Sequence, residues 1–186
     1  MRNPSSSSSN SHIGIAFYHT HGHPIHCVLV VSKSALFDEG VWCSTIMETV
    51  NGWDVSWTMC DRSPTSYSRT AFLLGIVHVA QVYASVTDLK NMINSCNPVS
   101  ELDRFGVHGS NDLSFSGDKY VTLAILRLSE MRVINLPVKE PKSLFNAIRQ
   151  RIPQPGNAMH SLSANEIPVT FLFQGDHCIG RGARCY

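Results

Sequence analysis

The side chains best suited to chemistry begin with a histidine-rich segment over residues 19–26, which reads His-Thr-His-Gly-His-Pro-Ile-His. Imidazoles at this density can bind zinc, copper or nickel, so metal binding through His19, His21, His23 or His26 is one alternative function. A catalytic metal needs about three convergent ligands, and a polar turn that takes up metal adventitiously is the simpler interpretation. We therefore predict no resident metal and no cofactor.

His26 differs from its neighbours because it opens an apolar, β-branched run that ends at Ser32 and predicts a buried strand. A histidine at the edge of a strand can act as a general base when a second group orients it. A structural histidine with a satisfied hydrogen bond is the competing interpretation. His78 lies within an apolar run, where a structural role is favoured, and His108 lies in a glycine-containing loop that can line a pocket.

Three tryptophans supply large, rigid apolar surfaces: Trp42, Trp53 and Trp57. On a sheet such side chains usually pack the core, and they can equally form the floor of a small-molecule pocket. We take Trp53, Trp57 and His108 as candidate substrate-binding residues. Asp118 stands at the predicted start of a helix, where aspartate is most often an N-cap.

Five segments with the pattern of β-strands precede every predicted helix. Alternation of apolar and polar residues is clearest over 53–60, directly after an Asn51-Gly52 pair that favours a type I′ hairpin turn. The predicted strands are 13–18, 26–32, 41–50, 53–60 and 71–82.

The hydrophobic period then changes to that of helices. Ser85 and Asp88 have the spacing of a capping box before a first amphipathic helix. Residues 118–131 have wide apolar coverage, which predicts a largely buried helix, and Pro141 begins a third predicted helix over 141–152. Strands followed by helices predict the α+β class, with an antiparallel sheet of about five strands packed on two or three helices.

The chain of 186 residues predicts a single domain. We expect a disordered Ser-rich tail over 1–12, one α+β domain over 13–152, and an irregular C-terminal tail over 153–186 that packs on or near the domain. The tail contains one short strand candidate, at 168–174.

Composition limits the partners. The net charge is +1 with no basic block, so neither nucleic acid nor an acidic membrane surface has electrostatic support as a partner. The first residues are polar, without the apolar core of a secretory signal, and no run reaches the roughly 18 apolar residues that span a bilayer. We therefore predict a cytoplasmic protein whose six cysteines are reduced thiols. The oligomeric state is open.

Four segments together resemble a known group of proteins: Ile13–Tyr18, His26–Ser32, Trp53 with the preceding Asn-Gly, and Gly117-Asp118. The chain is similar in these segments to small uncharacterised fungal proteins related to circularly permuted papain-like domains, such as the NlpC-type peptidases and the lecithin-retinol-acyltransferase-like proteins. The resemblance covers about residues 13–135 and implies a permuted papain-like fold.

In the permuted form of that superfamily a histidine comes first, at a strand start in a pattern like His-Trp-Ala-Leu-Val-Val-Gly, and His26–Ser32 matches it. A cysteine then opens a later helix, whose N-terminus lowers the pKa of the thiol. The matching helix here opens Phe-Ser-Gly-Asp-Lys-Tyr over 115–120 and contains no cysteine. The resemblance therefore implies either Ser116 as a replacement hydroxyl or Asp118 as an acid–base partner of His26.

The sequence thus predicts a small-molecule pocket at His26 that lacks the usual cysteine. The favoured function is ligand binding or acid–base catalysis of a cyclisation or isomerisation type, through His26 and Asp118. One alternative is a hydrolase or acyltransferase that uses Ser116 or a cysteine as nucleophile. The others are a non-catalytic interaction protein and the metal-binding protein considered above.

Overall fold

A computed structural model describes residues 10–18, 25–37, 41–51, 54–62, 73–95, 117–152 and 169–173, with residues 45–51, 54–62 and 118 described by their backbone alone. Within these residues the chain forms one six-stranded sheet and three α-helices, so the α+β prediction is confirmed. Residues 1–9 of the tail predicted over 1–12, most of the segment after Ile152, and the Asn-Gly turn beyond Asn51 lie outside the described residues. The prediction of a disordered tail is wrong at Ser11 and His12, which are buried and form the start of a strand.

The strands are β1 (Ser11–Tyr18), β2 (His26–Ser32), β3 (Trp42–Asn51), β4 (Asp54–Arg62), β5 (Leu73–Val82) and β6 (Val169–Phe171). Their order across the sheet is β4-β3-β2-β1-β5-β6. Adjacent strands among β1 to β5 are antiparallel to one another. The short β6 falls within the strand candidate of the C-terminal tail and adds to β5 in parallel. The sheet therefore has one strand more than expected, from the opposite end of the chain.

The helices are α1 (Val86–Ser95), α2 (Gly117–Glu130) and α3 (Pro141–Gln150). The capping box at α1 is formed, since the Asp88 backbone N–H donates to Ser85 Oγ at 3.0 Å and Ser85 Oγ donates to Asp88 Oδ2 at 2.7 Å. Pro141 is the first residue of α3, as predicted, and the Glu140 carboxylate accepts hydrogen bonds from backbone N–H groups of its first turn. Hydrogen bonding by Ser143, first through its side chain and then through its backbone N–H, lowers the pKa of Glu140.

The two faces of the sheet follow the period of two along the strands. One face, which we call the helix face, packs on α1 and α2 through residues such as Ile15, Phe17 and Leu29, and α3 packs on α2. The other, which we call the Phe37 face, carries Val28 and Val30 under the buried Phe37 ring. The predicted burial of α2 is confirmed, because its residues from Tyr120 to Ile125 are all buried.

A buried hydroxyl pair ties α2 to the sheet. Ser44 of β3 and Tyr120 of α2 are both 0% exposed, and Ser44 Oγ and the Tyr120 hydroxyl form a short hydrogen bond. Since neither hydroxyl can reach water, each depends on a partner within the protein.

We expect Tyr120→Phe to lower the free energy of unfolding by about 1–2 kcal/mol, because Ser44 then keeps a buried hydroxyl without this partner. Ser44→Ala should have a similar effect. Urea unfolding of both variants and of the double variant tests the pair, since a direct interaction makes the double loss smaller than the sum. Strictly additive losses would show that the two hydroxyls do not stabilise one another.

Candidate functional site

His26 is the first residue of β2 and pairs with Tyr18, the last residue of β1. Its side chain is exposed, while the next residue, Cys27, is buried in the core. The strand therefore begins at the boundary between core and solvent, where a histidine can be held by its backbone and still meet a ligand.

The start of α2 lies directly against the start of β2. A Cβ atom added to Gly117 would lie 2.7 Å from the Cys27 carbonyl oxygen and 3.4 Å from the Cys27 nitrogen. The same position is 3.5 Å from His26 Nδ1. Only glycine fits such an approach of two backbones, and its presence brings the His26 imidazole to the N-terminus of α2.

A helix start beside a histidine has defined chemistry. The first N–H groups of an α-helix have no partner within the helix, and the helix dipole places partial positive charge there. Such a site can accept an anionic or carbonyl oxygen of a ligand while the imidazole exchanges a proton with a neighbouring atom.

The structure places only part of the predicted site. Asp118 is the second residue of α2, directly after Gly117, and its backbone is the part described. Ser116, Trp53 and His108 lie outside the described residues. The proximity of His26 to the helix start is thus a finding, while the contributions of Asp118 and Ser116 remain predictions.

Trp57 lies in β4, the edge strand, and pairs with Glu48 of β3. β3 pairs with β2 from Leu29 with Ser44 to Val31 with Trp42, so β3 lies between the strand that begins at His26 and the strand that carries Trp57.

Two cysteine side chains are described by the structure, and neither offers an accessible nucleophile. Cys27 is 1% exposed and Cys43 is 4% exposed, and both are free thiols inside the core. For these two residues the prediction of reduced thiols agrees with the structure. A buried thiol is a poor nucleophile because it is both inaccessible and hard to ionise.

The sequence did not indicate a second histidine centre, which is formed by His12 of β1 and His78 of β5. Their Nδ1 and Nε2 atoms are 3.0 Å apart, and both side chains are buried. Burial, and secondarily the charge of His12, lowers the pKa of His78 to about 4, while burial lowers that of His12. The expectation of a structural role for His78 agrees with this burial, although its histidine partner was not predicted.

The geometry of this pair is that of a hydrogen bond. A ring nitrogen lies roughly 1.2 Å from its ring centre, so rings meeting head-on at this separation have centres about 5.4 Å apart. The observed distance between ring centres is 5.3 Å. The 3.0 Å separation and this nearly head-on approach are those of an N–H···N hydrogen bond, so the pair shares a proton.

Within the part of the chain that the structure describes, no group of three or more His, Cys, Asp or Glu side chains has the arrangement of a metal site. His19, His21 and His23 lie outside that part.

Among the same described residues, no helix combines the length and apolarity needed to cross a bilayer.

A surface depression of about 290 Å³ lies at the C-terminal end of α2, lined by Leu126, Ser129, Glu130, Arg132 and Lys139. It is at the opposite end of α2 from Gly117, roughly 15–20 Å away at 1.5 Å per helical residue. It is therefore separate from the candidate site at His26.

In comparisons with known proteins, no family model, no curated protein and no solved structure matches this chain. The candidate site is accordingly defined by its own geometry, and the relation to papain-like domains stays a prediction.

Proposed function

We propose that this protein binds a small molecule between the start of β2 and the start of α2, and that His26 acts on it as a general acid and base. One observation carries the proposal. His26 Nδ1 lies 3.5 Å from the Cβ position of residue 117, so the imidazole stands at the first turn of α2. Exposure of the His26 side chain leaves it accessible to a ligand.

In this scheme the imidazole removes a proton from one ligand atom and returns it to another, as a cyclisation or isomerisation requires. Backbone N–H groups at the start of α2 stabilise negative charge that develops on a neighbouring oxygen. Asp118 follows Gly117 in α2 and serves as the second group that orients the imidazole or holds its proton. Trp57, with Trp53 and His108, supplies apolar walls for the ligand.

The resemblance to permuted papain-like domains supports this arrangement, since those domains also join a histidine at a strand start with the first turn of a helix. A fungal source and a cytoplasmic location belong to the same proposal.

A second candidate function is acyl transfer or hydrolysis through Ser116. The observation in its favour is that Ser116 immediately precedes Gly117, whose Cβ position is 3.5 Å from His26 Nδ1. His26 would then activate a serine hydroxyl, and the N–H groups of α2 would stabilise the tetrahedral oxyanion. The burial of Cys27 and Cys43 disfavours either of these two thiols in this role.

We expect His26→Ala to abolish binding, or to lower turnover by about 10²–10⁴-fold, because it removes the group that transfers the proton. The ligand is first identified by screening a metabolite library against protein with isotopically labelled histidine, and by following the ring resonances of His26. Asp118→Asn should reduce turnover more than affinity. Leu36→Ala, at a residue that is 64% exposed, is the matched control on the fold.

A library compound that binds without moving the His26 resonances, and with equal affinity for His26→Ala, would contradict the proposed site. Labelling of Ser116 by a fluorophosphonate, lost in His26→Ala and in Ser116→Ala, would instead establish the acyl-transfer candidate.

A further inference from the structure

The short strand β6 joins the sheet at His78. Val169, Thr170 and Phe171 pair with Ile76, Val77 and His78 in parallel register. The Leu172 backbone N–H donates to the His78 carbonyl oxygen at 2.9 Å. The C-terminal strand is therefore anchored at one residue of the buried histidine pair.

The side chains make the same connection. The Phe171 ring packs edge-on against the His78 ring, with 5.2 Å between ring centres, and the Phe37 ring also meets His78 edge-on, with 6.0 Å between ring centres. His78 is 9% exposed in this arrangement. Phe171 covers His78 and is itself 41% exposed, so it lies between His78 and solvent. Removal of β6 would therefore open His78 to water.

The pair accepts protons in two different ways. In the neutral pair one nitrogen of the 3.0 Å contact donates a proton and the other accepts it. A first added proton can go to an outer nitrogen and leave that bond intact. A second proton places two N–H groups against each other, so the bond is lost and the rings repel.

Nothing beside the pair compensates a positive charge within the described structure. The cross-strand neighbours of His12 are Ser32 on β2 and Gln81 on β5, both neutral. The side chains packed on His78 from the segment after β2 and from β6 are the rings of Phe37 and Phe171. A charged imidazole would gain more from water than from these neighbours.

We propose that the His12–His78 pair is a proton-operated latch for β6, which stays on β5 while the pair shares one proton and leaves β5 when both imidazoles are protonated. The latch is a local device, since β6 is three residues long and pairs only with β5 in the described sheet. An edge strand of that size can open without unfolding β1 to β5.

The lowered pKa of His78, about 4 with β6 in place, agrees with a closed latch that rejects the second proton. In an open latch water reaches His78, so the pKa of His78 rises towards the ordinary value of 6.5 while His12 stays beside it on β1. The open form then binds more protons than the closed form below about pH 6.5, so opening becomes more favourable as the pH falls. Between pH 8 and pH 5 these two values set an upper limit of about 30-fold on the increase in the opening equilibrium constant.

Hydrogen exchange at the Leu172 amide measures the latch directly, because that N–H is bonded to the His78 carbonyl. After correction for the intrinsic exchange rate, we expect its protection factor to fall by up to about 30-fold from pH 8 to pH 5. Amides in the β1–β2 ladder, for example that of Leu29, should keep their protection over the same range. Histidines are the main side chains that titrate in this window, so carboxylates do not confound the result.

His78→Gln should remove the pH dependence at Leu172. His12→Gln should reduce the pH dependence without removing it, because burial, the larger cause of the lowered His78 pKa, remains. The second variant keeps the proposal testable if the first fails to fold. Phe171→Leu should raise exchange at every pH and leave the titrating pair in place. A Leu172 protection factor that is constant from pH 8 to pH 5 would overturn the proposal. So would an equal loss at Leu172 and Leu29, a pH dependence that persists in His78→Gln, or one that is unchanged in His12→Gln.

Discussion

We expect Phe37→Ala to lower the free energy of unfolding by about 3–5 kcal/mol, the usual cost of deleting a fully buried phenylalanine. The Phe37 ring is 0% exposed and covers Gly14 of β1 on the Phe37 face of the sheet. A Cβ atom on Gly14 would lie only 2.6 Å from Phe37 Cζ, so ring and glycine are fitted to each other. Truncation to alanine leaves a void above Gly14, which has no side chain that could fill it.

Phe37 also has a φ of 56°, in the left-handed region that a bulky residue rarely adopts. A turn whose hydrogen bond runs from the Phe37 N–H to the Ser34 carbonyl oxygen at 3.1 Å supports this backbone. Alanine at position 37 keeps the unfavourable φ and loses the burial that compensates it, which places the expected loss towards the upper end of the range.

Gly14→Ala provides the complementary test. In the wild-type background the added methyl group meets the Phe37 ring and should cost about 1–3 kcal/mol. In the Phe37→Ala background the contacts with the ring are gone and only the close contact with Ile76 Cγ2, at 2.9 Å, remains. The double variant should therefore be more stable than the sum of the two losses predicts. Leu36→Ala, at the exposed neighbour, should change stability by no more than about 0.5 kcal/mol. Additive losses at positions 14 and 37 would show that the ring and the glycine do not interact.

The second large effect is expected in acid, where burial of His78 should destabilise the whole fold. Its pKa is about 4 in the folded protein and near 6.5 when unfolded, so the unfolded chain binds more protons between these values. Above pH 6.5 this difference in pKa has little effect on the free energy of unfolding. Below pH 6.5 it lowers the free energy of unfolding progressively as the pH falls towards 4. At pH 4 it amounts to a loss of about 3 kcal/mol, two-thirds of which should be present by pH 5.

Urea unfolding of the wild type and of His78→Gln at pH 7.5, 6, 5 and 4 isolates this effect from the carboxylates that also titrate near pH 4. The free energy of unfolding of the wild type should decrease relative to that of His78→Gln as the pH falls. A difference that is constant across the series would mean that His78 is protonated in the folded state as readily as in the unfolded chain.

Local patterns predicted most of the fold. Strand β2 was predicted residue for residue, and the other predicted elements agree with the structure within about two residues at each end, because a period of two and a capping box such as Ser85 with Asp88 act over short distances. Strand β6 was foreseen only as a short candidate. Its parallel pairing depends on contacts with a strand nearly a hundred positions earlier, which no local pattern encodes.

The histidine pair was not predicted for the same reason. His12 and His78 are 66 residues apart, and they meet through the register of β1 on β5, which shifts between Ile13 and Gly14. A register shift of this kind has no clear signature in sequence. His12 was also assigned to the N-terminal tail, because the strand was expected to begin two residues after its observed start at Ser11.

The approach of His26 to α2 followed from the family resemblance and not from composition or periodicity. Gly117 is the residue that permits the approach, and a glycine near a helix start has many ordinary explanations. Its role became evident only with the 2.7 Å separation between its Cβ position and the Cys27 carbonyl oxygen.

That close approach limits how this scaffold can be modified. Installing a nucleophile at residue 117 by protein engineering would drive its first side-chain carbon into the main chain of β2, and the whole helix would have to retreat from the imidazole it was meant to serve. A reactive group that is to work with His26 must therefore be carried by an adjoining position or brought by the ligand. Evolution of new chemistry on this chain faces the same restriction, with position 117 reserved for backbone contact and variation directed to its neighbours.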